Sequence, residues 1–324
     1  KPLVTQVVCP AFLQPTYKFY SSTLGGSSTW NTMEVNNCPC CGSDQRERPM
    51  TVVDHMVSQE SFTVSFCVSC GCGITSPRPD EIGPYYESPS YTSHQDQNSG
   101  LFGRLYGLAR TVAAGQKLRL IKRASKKTKG SLLDYGCGVG VFTSRAERAG
   151  WHVDGIELSA EARRRAQEKL KTGRVATHRD ELDATHTYDV VTLFHVLEHL
   201  DDPAEALAWI RARLNTGGAL IVAVPNYESP DAQHYGPHWA AYDVPIHYWH
   251  FTKASINALA RSTGWFVSEV HPMRMDAFYV SLLSEAYKTG SKNWLSAVYQ
   301  GIKSNVLGGN SNASSLIYVL RKAS

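Results

Sequence analysis

Long hydrophobic runs are missing from this sequence, and their absence sets the first limits on what the protein does. No apolar stretch approaches the roughly 20 residues that cross a bilayer. The early stretch LVTQVVCPAFL is short and is interrupted by Pro10, which does not suit a secretory signal. We therefore expect a cytoplasmic protein without a membrane span.

Charge of one sign is also scarce. Lys and Arg number 33 against 29 Asp and Glu, a formal net charge of +4, which is too small to indicate nucleic acid as a partner. The chain has 324 residues, of which 42% are hydrophobic and 19% charged. Such a chain is large enough for one main core and a smaller module.

Residues 1–32 differ from the rest of the chain. They include SSTLGGSSTW, which has the composition of a linker, and they show no amphipathic period. We predict an extension or linker here. The alternative is an appended peptide, in which VVCPAFLQPTYKFY acts as a bound ligand or as the molecule to be modified.

Cysteine is rare outside one short region. Six of the eight cysteines lie between Cys38 and Cys72, which favours a local metal site over a chain-wide disulfide framework. CPCCG and CVSCG contain two C-x-x-C-G knuckles, separated by a segment that can form a hairpin, and such knuckles bring paired thiolates to one tetrahedral zinc ion. We predict a zinc ribbon over residues 33–79. The predicted ligands of this structural zinc are Cys38, Cys41, Cys67 and Cys70, and the predicted non-ligands are Cys40 and Cys72.

Residues 80–130 form a predicted connecting helical segment with a basic end. Its apolar stripe consists of Leu101, Phe102, Leu105, Leu108 and Val112, and seven basic residues fall between Lys117 and Lys129. A solvated Lys-rich helix end that suits the helix dipole explains this pattern. The alternative is that residues 117–129 dock an acidic substrate, a carrier or a peptide.

From Ser131 onward, predicted strands alternate with predicted helices. The dipeptide Asp202–Pro203 suits a helix start, and Gly217 with Gly218 suits its end. Such alternation predicts right-handed crossovers around a parallel sheet that has helices on both faces. Ligands of these sheets bind at the carboxyl ends of the strands.

The stretch SLLDYGCGVG lies at one of those strand ends. Gly136, Gly138 and Gly140 are followed by Val141, so the spacing fails the G-x-G-x-x-G pattern of dinucleotide sites. The pattern Asp134-x-Gly-x-Gly-x-Gly, with Glu157 closing the next strand, resembles the class I S-adenosylmethionine-dependent methyltransferases.

That resemblance covers nearly the whole chain from Cys38. It is carried by CPCCGS, CVSCGCGITSPRP, LLDYGCGVG, HVLEHLDDP, GGALIVAVPN, DVPIHYWHFT and SSLIYVLRK. The chain resembles the methyltransferases that carry an N-terminal zinc ribbon, and its catalytic domain, residues 131–324, is similar to the ubiquinone-pathway O-methyltransferases. The resemblance implies an α/β fold with a Rossmann-like seven-stranded sheet, in which the last strand, LIYVLRK, is antiparallel.

The resemblance also implies a cofactor site for S-adenosylmethionine. Glu157 would accept hydrogen bonds from both ribose hydroxyls, because a carboxylate offers two acceptor oxygens. Asp180 matches the position that contacts the adenine amino group, and Phe194 and His195 would line the adenine and methionine side. The predicted cofactor residues are Asp134, Gly136, Gly138, Gly140, Glu157, Leu158, Asp180, Phe194 and His195.

Methyl transfer from a sulfonium needs alignment of the acceptor and, for many acceptors, a base. Histidines cluster where a base would be needed. We predict His199 and His247 as acid/base residues supported by Asp243, with His195 as a further catalytic candidate. Residues 226–252 would form a lid over the acceptor.

His195, Glu198 and His199 have i, i+3, i+4 spacing, which places them on one face if the turn after the fourth strand is helical. Ubiquinone-pathway relatives are reported to hold a divalent metal at the matching places. A second metal near Glu198 and His199 is therefore one interpretation. In the other, His199 bonds to backbone and Glu198 orients the lid.

The sequence favours methyl transfer to oxygen, nitrogen or carbon of a small-molecule, sugar or peptide acceptor, as in natural-product metabolism. Two alternatives stay open. One is a peptide-modifying methyltransferase of a ribosomal peptide pathway, with residues 1–32 as the bound peptide. The other is a non-catalytic binding protein, in which the zinc ribbon contacts a partner and the methyltransferase fold is a scaffold.

Overall fold

The computed structural model describes residues 36–87 and 100–323, with the backbone alone at residues 87 and 100–110. The predicted N-terminal extension and most of the predicted apolar stripe therefore lie outside the described side chains. Val112, at the end of that stripe, is 48% exposed. The described residues belong to one compact unit, and none of its helices has the length and apolarity needed to cross a membrane.

Eleven strands and nine helices make up the described part of the chain. The strands are β1 (Arg46–Val53), β2 (Ser61–Cys67), β3 (Gly73–Ser76), β4 (Ser131–Tyr135), β5 (His152–Ile156), β6 (Arg174–Ala176), β7 (Tyr188–Phe194), β8 (Leu214–Pro225), β9 (Trp249–His250), β10 (Trp265–Pro272) and β11 (Ser315–Lys322). The helices are α1 (Gly83–Glu87), α2 (Gly100–Ser125), α3 (Val141–Arg148), α4 (Ala160–Gln167), α5 (Pro203–Arg213), α6 (Pro230–Tyr235), α7 (Lys253–Ser262), α8 (Asp276–Thr289) and α9 (Trp294–Gly308).

The large sheet has seven strands in the order β10-β11-β8-β7-β4-β5-β6. Strands β4 to β8 pair in parallel, whereas β11 lies antiparallel between β8 and β10. This confirms the predicted seven-stranded α/β fold and its antiparallel last strand. The chain leaves β4 toward β5 and β6 and then returns to β7, so a topological switch point lies at the carboxyl ends of β4 and β7.

The central strands are apolar because both of their faces are covered. In β8, each residue of Ala219–Val224 is at most 1% exposed. Leu120 and Ile121 of α2 pack on one face, against a cluster that includes Ile221. Helices α5 and α7 cover the opposite face. This two-sided burial fixes the sheet as a rigid platform for the loops at its carboxyl edge.

The start of α5 agrees with the sequence, but its predicted end is wrong. The Asp202 carboxylate accepts a hydrogen bond from the Glu205 N–H at 2.9 Å, which caps the helix. The helix then ends at Arg213, and Gly217 and Gly218 lie inside β8. The buried Leu214 pairs with Tyr188 of β7, so the chain enters β8 before it reaches Gly217 and Gly218.

The small sheet combines strands from two distant parts of the described chain. It has the order β1-β2-β3-β9. The hairpin of β1 and β2 lies between the two cysteine knuckles, as the sequence predicted. The fourth strand, β9, comes from the far part of the chain and pairs Gly73 with His250. The predicted ribbon is thus continuous, through its sheet, with the fold that contains the large sheet.

Further hydrogen bonds fasten the ribbon to the segment around β9. The Thr75 hydroxyl donates to the His247 carbonyl at 2.7 Å and lies 2.9 Å from His250 Nε2. Tyr227 donates its phenol proton to the Gly71 carbonyl. Because Thr75 is fully buried, these bonds are shielded from water.

The predicted lid over residues 226–252 stays a prediction, and the segment itself is well packed. The segment contains α6, two short 3-10 turns and β9, and its Trp239 and Phe251 are each 1% exposed. Asp231 accepts hydrogen bonds from Trp239 Nε1, Ser304 and Ser314. These buried contacts pack residues 226–252 against the rest of the fold, and we call these residues the wall segment.

Candidate active site

The glycine loop follows β4 and leads into α3. Gly136, Gly138 and Gly140 have φ values of 72°, 54° and 74°, a region that favours glycine. A Cβ atom at Gly136 would collide with Val196, and one at Gly140 would lie 2.8 Å from Ala166 Cα. At Gly138, by contrast, nothing in the described structure lies within 4 Å of that position. The loop is packed at both ends and open in the middle, where a ligand can approach the backbone.

Glu157 stands beside that opening at the carboxyl end of β5. Its Oε2 accepts the Gly138 N–H at 2.8 Å, and its Oε1 accepts the Ser159 N–H at 2.9 Å. Each carboxylate oxygen has a second acceptor site. The carboxylate is therefore held in place and can still accept hydrogen bonds from a diol.

Asp134 lies beneath the loop. Its two oxygens accept hydrogen bonds from the Thr143 hydroxyl at 2.8 Å and the Thr192 hydroxyl at 2.7 Å. Burial raises the pKa of Asp134, while these two hydrogen bonds oppose the rise. Since both oxygens are engaged within the fold, Asp134 ties β4 to β7 and α3 and positions the loop.

The other predicted cofactor residues lie at neighbouring strand ends. Asp180 is exposed in the 3-10 turn Arg179–Glu181 that follows β6. Leu158, after β5, is 67% exposed. The Phe194 ring at the end of β7 meets the Phe142 ring edge to face at 5.2 Å, and Lys117 Nζ lies 3.9 Å from its centroid. The sheet thus brings these residues to one edge of the molecule.

His195 is held between two carboxylates. Its Nε2 lies 3.1 Å from Asp276 Oδ2, and its Nδ1 lies 3.4 Å from Glu198 Oε1. Burial alone would lower the pKa of His195, but Asp276 and Glu198 outweigh it and raise the pKa to about 9. At neutral pH His195 is therefore a cation, which makes it unsuitable as the base that the sequence suggested.

The predicted helical face of His195, Glu198 and His199 is only partly correct. His195 precedes the short 3-10 turn Leu197–His199 and has a φ of 58°. Glu198 and His199 nevertheless meet His247, and their ligand atoms lie within 4.8 Å of one another. The grouping comes from the contact between this turn and the wall segment.

His199 and His247 are neutral imidazoles with similar backbone partners. His199 Nδ1 lies 3.0 Å from the Ile246 carbonyl and also 3.0 Å from the Tyr86 hydroxyl, and His247 Nδ1 lies 2.9 Å from the Ala241 carbonyl. Burial lowers the pKa of both groups. With Nδ1–H donated to a carbonyl, each ring keeps an Nε2 lone pair that can accept a proton or bind a metal.

Asp243 completes this group of titratable residues. Its Oδ2 lies 3.9 Å from His247 Nε2, and its φ of 38° places it in the left-handed region. Burial, followed by the negative charges of Asp54 and Glu198, raises the pKa of Asp243 to about 7. This carboxyl group can therefore gain or lose a proton near neutral pH.

The sequence analysis missed Asp276, Lys117 and Tyr86. Each comes from an element outside the motifs, namely α8, α2 and α1. Lys117 was noted only as one of the basic residues of the connecting segment. No local sequence signal marks Asp276 as the partner of His195, because the contact depends on the packing of α8 against the sheet edge.

The four predicted zinc ligands lie together. Cys38 Sγ is 3.5 Å from Cys70 Sγ, Cys41 Sγ is 3.5 Å from Cys67 Sγ, and all four sulfurs lie within 4.8 Å of one another. Four thiolates at about 2.3 Å from a central zinc require sulfur separations of this order. The donor set fits a closed structural zinc site.

The glycine that ends each knuckle shapes its turn. Gly42 and Gly71 have φ values of 77° and 73°, and their N–H groups donate to the Cys38 and Cys67 carbonyls at 2.8 and 2.9 Å. Cys40 and Cys72 are fully buried and also lie within 4.8 Å of Cys38. Their prediction as non-ligands stays a prediction.

The sequence of this chain is similar to those of known methyltransferases. A family model described as a methyltransferase domain matches residues 109–270, half of the chain. The ubiquinone biosynthesis O-methyltransferase of Aeromonas salmonicida is 33% identical over 102 residues, which cover 29% of this chain and 43% of that protein. An uncharacterized methyltransferase of Bacillus cytotoxicus is 34% identical over 108 residues, covering 32% and 51%. The chain spans about half the length of the curated relatives it matches.

Among solved structures, magnesium protoporphyrin IX methyltransferase from Synechocystis PCC 6803 with bound SAH aligns with a TM-score of 0.50 and 12% identity. The alignment covers 74% of this chain and 97% of that one. At 12% identity this similarity shows a shared fold and nothing further.

Proposed function

The chain belongs to the methyltransferase domain family, and on that premise we propose that it transfers a methyl group from S-adenosylmethionine to an acceptor at the carboxyl edge of the large sheet. One observation carries the proposal. The Gly138 backbone is open to a ligand and donates its N–H to Glu157, so the glycine loop and the end of β5 together offer a close backbone approach and a fixed carboxylate.

The residues at this edge suit the parts of the cofactor. Glu157 would accept the ribose hydroxyls with its remaining acceptor sites. Asp180 would accept a hydrogen bond from the adenine amino group, and Phe194 and His195 would line the adenine and methionine side. Bound S-adenosylmethionine supplies the sulfonium methyl group, while the rigid loop fixes its position relative to the acceptor.

Proton removal from the acceptor would fall to His199 and His247, whose Nε2 lone pairs are available. Asp243, with a pKa of about 7, would take up or release the proton beside His247. His195 has a different part: its positive charge compensates Glu198 and Asp276 and holds the turn after β7 against α8.

The group formed by Glu198, His199 and His247 also fits a divalent cation. Glu198 is fully buried, and the ion pair of its Oε1 with His195 at 3.4 Å leaves Oε2 without a hydrogen-bond partner among the described residues. Two imidazoles with one carboxylate form a donor set found in metal sites. With such an ion bound, these three residues would be its ligands, and the two histidines would not act as bases. The charge of the ion would lower the pKa of an acceptor hydroxyl placed beside it.

We propose a small-molecule, sugar or peptide acceptor, with the acceptor atom left open among oxygen, nitrogen and carbon. The zinc ribbon takes a structural part, because four thiolates leave no open position on the ion. The proposal that residues 1–32 are the bound peptide lies outside the described residues.

The test is calorimetric titration with S-adenosylmethionine and with S-adenosylhomocysteine. We expect both to bind, and Glu157→Ala to weaken binding by about 1–3 kcal/mol, the cost of losing charged hydrogen bonds. Glu161→Ala removes an exposed carboxylate from nearby α4 and is the matched control, expected to bind like the unmodified protein. A folded, zinc-loaded protein that binds neither ligand would favour the non-catalytic binding protein.

A further inference from the structure

A cavity of about 400 Å³ lies between α2 and the segment His271–Asp276 that links β10 to α8. Its apolar lining includes Leu120, Met273 and Ile317. Strand β10 ends at Pro272, which pairs with Leu316 near the start of β11. The cavity therefore opens at the same sheet edge as the glycine loop, on the side away from β5 and β6.

Positively charged side chains line this cavity. Three come from α2, and one comes from the linking segment. They are Lys117, Arg119, Arg123 and Arg274. The hydrophobic core of the sheet ends beneath this cavity. Packing of the core therefore does not account for cationic side chains around an apolar surface.

The cationic charge is only partly neutralised. Asp276 is the only carboxylate among the described residues that line the cavity, and it is engaged by His195 at 3.1 Å. Arg123 meets Glu269 at 3.2 Å. Arg274 donates to the Asn310 side chain and the Asn305 carbonyl, which are uncharged. In the described part of the chain, the Arg119 guanidinium has no hydrogen-bond or ion-pair partner.

Two contacts connect the cavity to the proposed site of methyl transfer. Asp276 lines the cavity and also contacts His195 after β7. Lys117 lines the cavity and lies over the ring of Phe194 at 3.9 Å. A molecule in the cavity therefore lies next to the end of β7, where the cofactor would present its methyl group.

We propose that this cavity binds the acceptor and that the acceptor carries a phosphate or carboxylate group, bound by Arg119, Arg123 and Arg274, beside an apolar part that contacts Leu120 and Ile317. The inference rests on the proposed methyl transfer and names the chemical class of its substrate. Arginine suits this part because its planar guanidinium can donate two parallel hydrogen bonds to such an oxyanion.

The experiment measures anion binding by calorimetry at low ionic strength, with the full chain saturated with S-adenosylhomocysteine. Inorganic pyrophosphate represents the phosphate class and tricarballylate the carboxylate class. We expect one of the two to bind more tightly than the other, and its affinity to fall as salt is added. Arg119→Gln is expected to weaken that binding about tenfold, on the scale of one charge-assisted hydrogen bond.

Lys122→Gln is the matched control, because it removes the same charge from the same helix at a residue outside the cavity lining. Unchanged affinity in Arg119→Gln, an equal loss in the control, or no binding of either probe would overturn the inference. Competition between the probe and S-adenosylhomocysteine would also overturn it, since the cations would then serve the cofactor carboxylate. A protein that binds pyrophosphate but neither form of the cofactor would contradict the methyl-transfer proposal alone.

Discussion

At the scale of single residues, the histidines of the site differ in their charge. His195 faces Asp276 and Glu198 and is protonated, whereas burial keeps His199 and His247 neutral. Three histidines of one site thus hold different protonation states because their neighbours differ. This division assigns proton acceptance to the neutral pair and charge compensation to His195.

The charge on His195 gives a pH-dependent stability. Its pKa is raised from 6.5 to about 9 in the folded state, so its contribution is complete below about pH 6.5 and is lost as the pH rises through about 9. Replacing Asp276 with Asn removes one carboxylate, so the pKa should fall toward its ordinary value. NMR titration of the His195 ring measures the midpoint, and urea unfolding between these pH values measures the stability. Asp183→Asn, on the exposed surface, is the control, and an unchanged His195 midpoint in Asp276→Asn would contradict the assignment.

Sequence could predict Glu157 but not Asp276, for a physical reason. Glu157 closes the strand that follows the glycine loop, so the βαβ connection brings it beside Gly138. Asp276 comes from α8, and its contact with His195 depends on where that helix packs. Likewise, the pKa of Asp243 depends on its burial and on the charges of Asp54 and Glu198. These residues are far from Asp243 in the sequence, so no local pattern predicts their effect.

At the scale of elements, the small sheet depends on a two-residue strand. β9 contributes only Trp249 and His250, too few residues for a periodic pattern, so the sequence could not predict this strand. The wall segment is held mainly by buried side-chain hydrogen bonds. Those bonds could not be derived from spacing, because their donors and acceptors are far apart in the chain.

Thr75 tests this connection between the ribbon and β9. Thr75→Val keeps the shape but leaves the His247 carbonyl and His250 Nε2 without their bonds to the hydroxyl. We expect the free energy of unfolding in urea to fall by about 1–3 kcal/mol, the cost of buried unsatisfied polar groups. Thr63→Val makes the same change at an exposed position of β2 and should have little effect. Equal losses in the two variants would show that the bonds of Thr75 add nothing.

At the scale of the whole molecule, the cysteine cluster and the wall segment form one structure. The four predicted zinc ligands lie together in the two knuckles, the hairpin of β1 and β2 lies between the knuckles, and β3 pairs with β9 beside His247. Loss of metal should therefore be felt at the candidate active site. The seven-stranded sheet of the sequence prediction is confirmed, and the zinc ribbon stays a prediction. The spacing of the cysteines says nothing about β9, which comes from a distant part of the chain.

Removal of zinc tests this continuity. Cys38→Ser with Cys70→Ser should release the metal, and hydrogen exchange should become faster in residues 36–79 and also in β9. Cys137→Ser, in the glycine loop, is the control that should keep the zinc. Elemental analysis that finds no zinc in the unmodified protein would contradict the metal site, and unchanged exchange in β9 would contradict its coupling to the ribbon.

Because β3 pairs with β9, the small sheet can be completed only late in synthesis of the chain. Thr75 and His250 are 175 residues apart in the chain, so during translation the ribbon emerges long before the strand that completes its sheet. The knuckles can take up their ion early, but the open edge of β3 stays unpaired until the wall segment has left the ribosome. An unpaired strand edge is a template for wrong partners, so the nascent ribbon passes through a period in which it needs protection from aggregation.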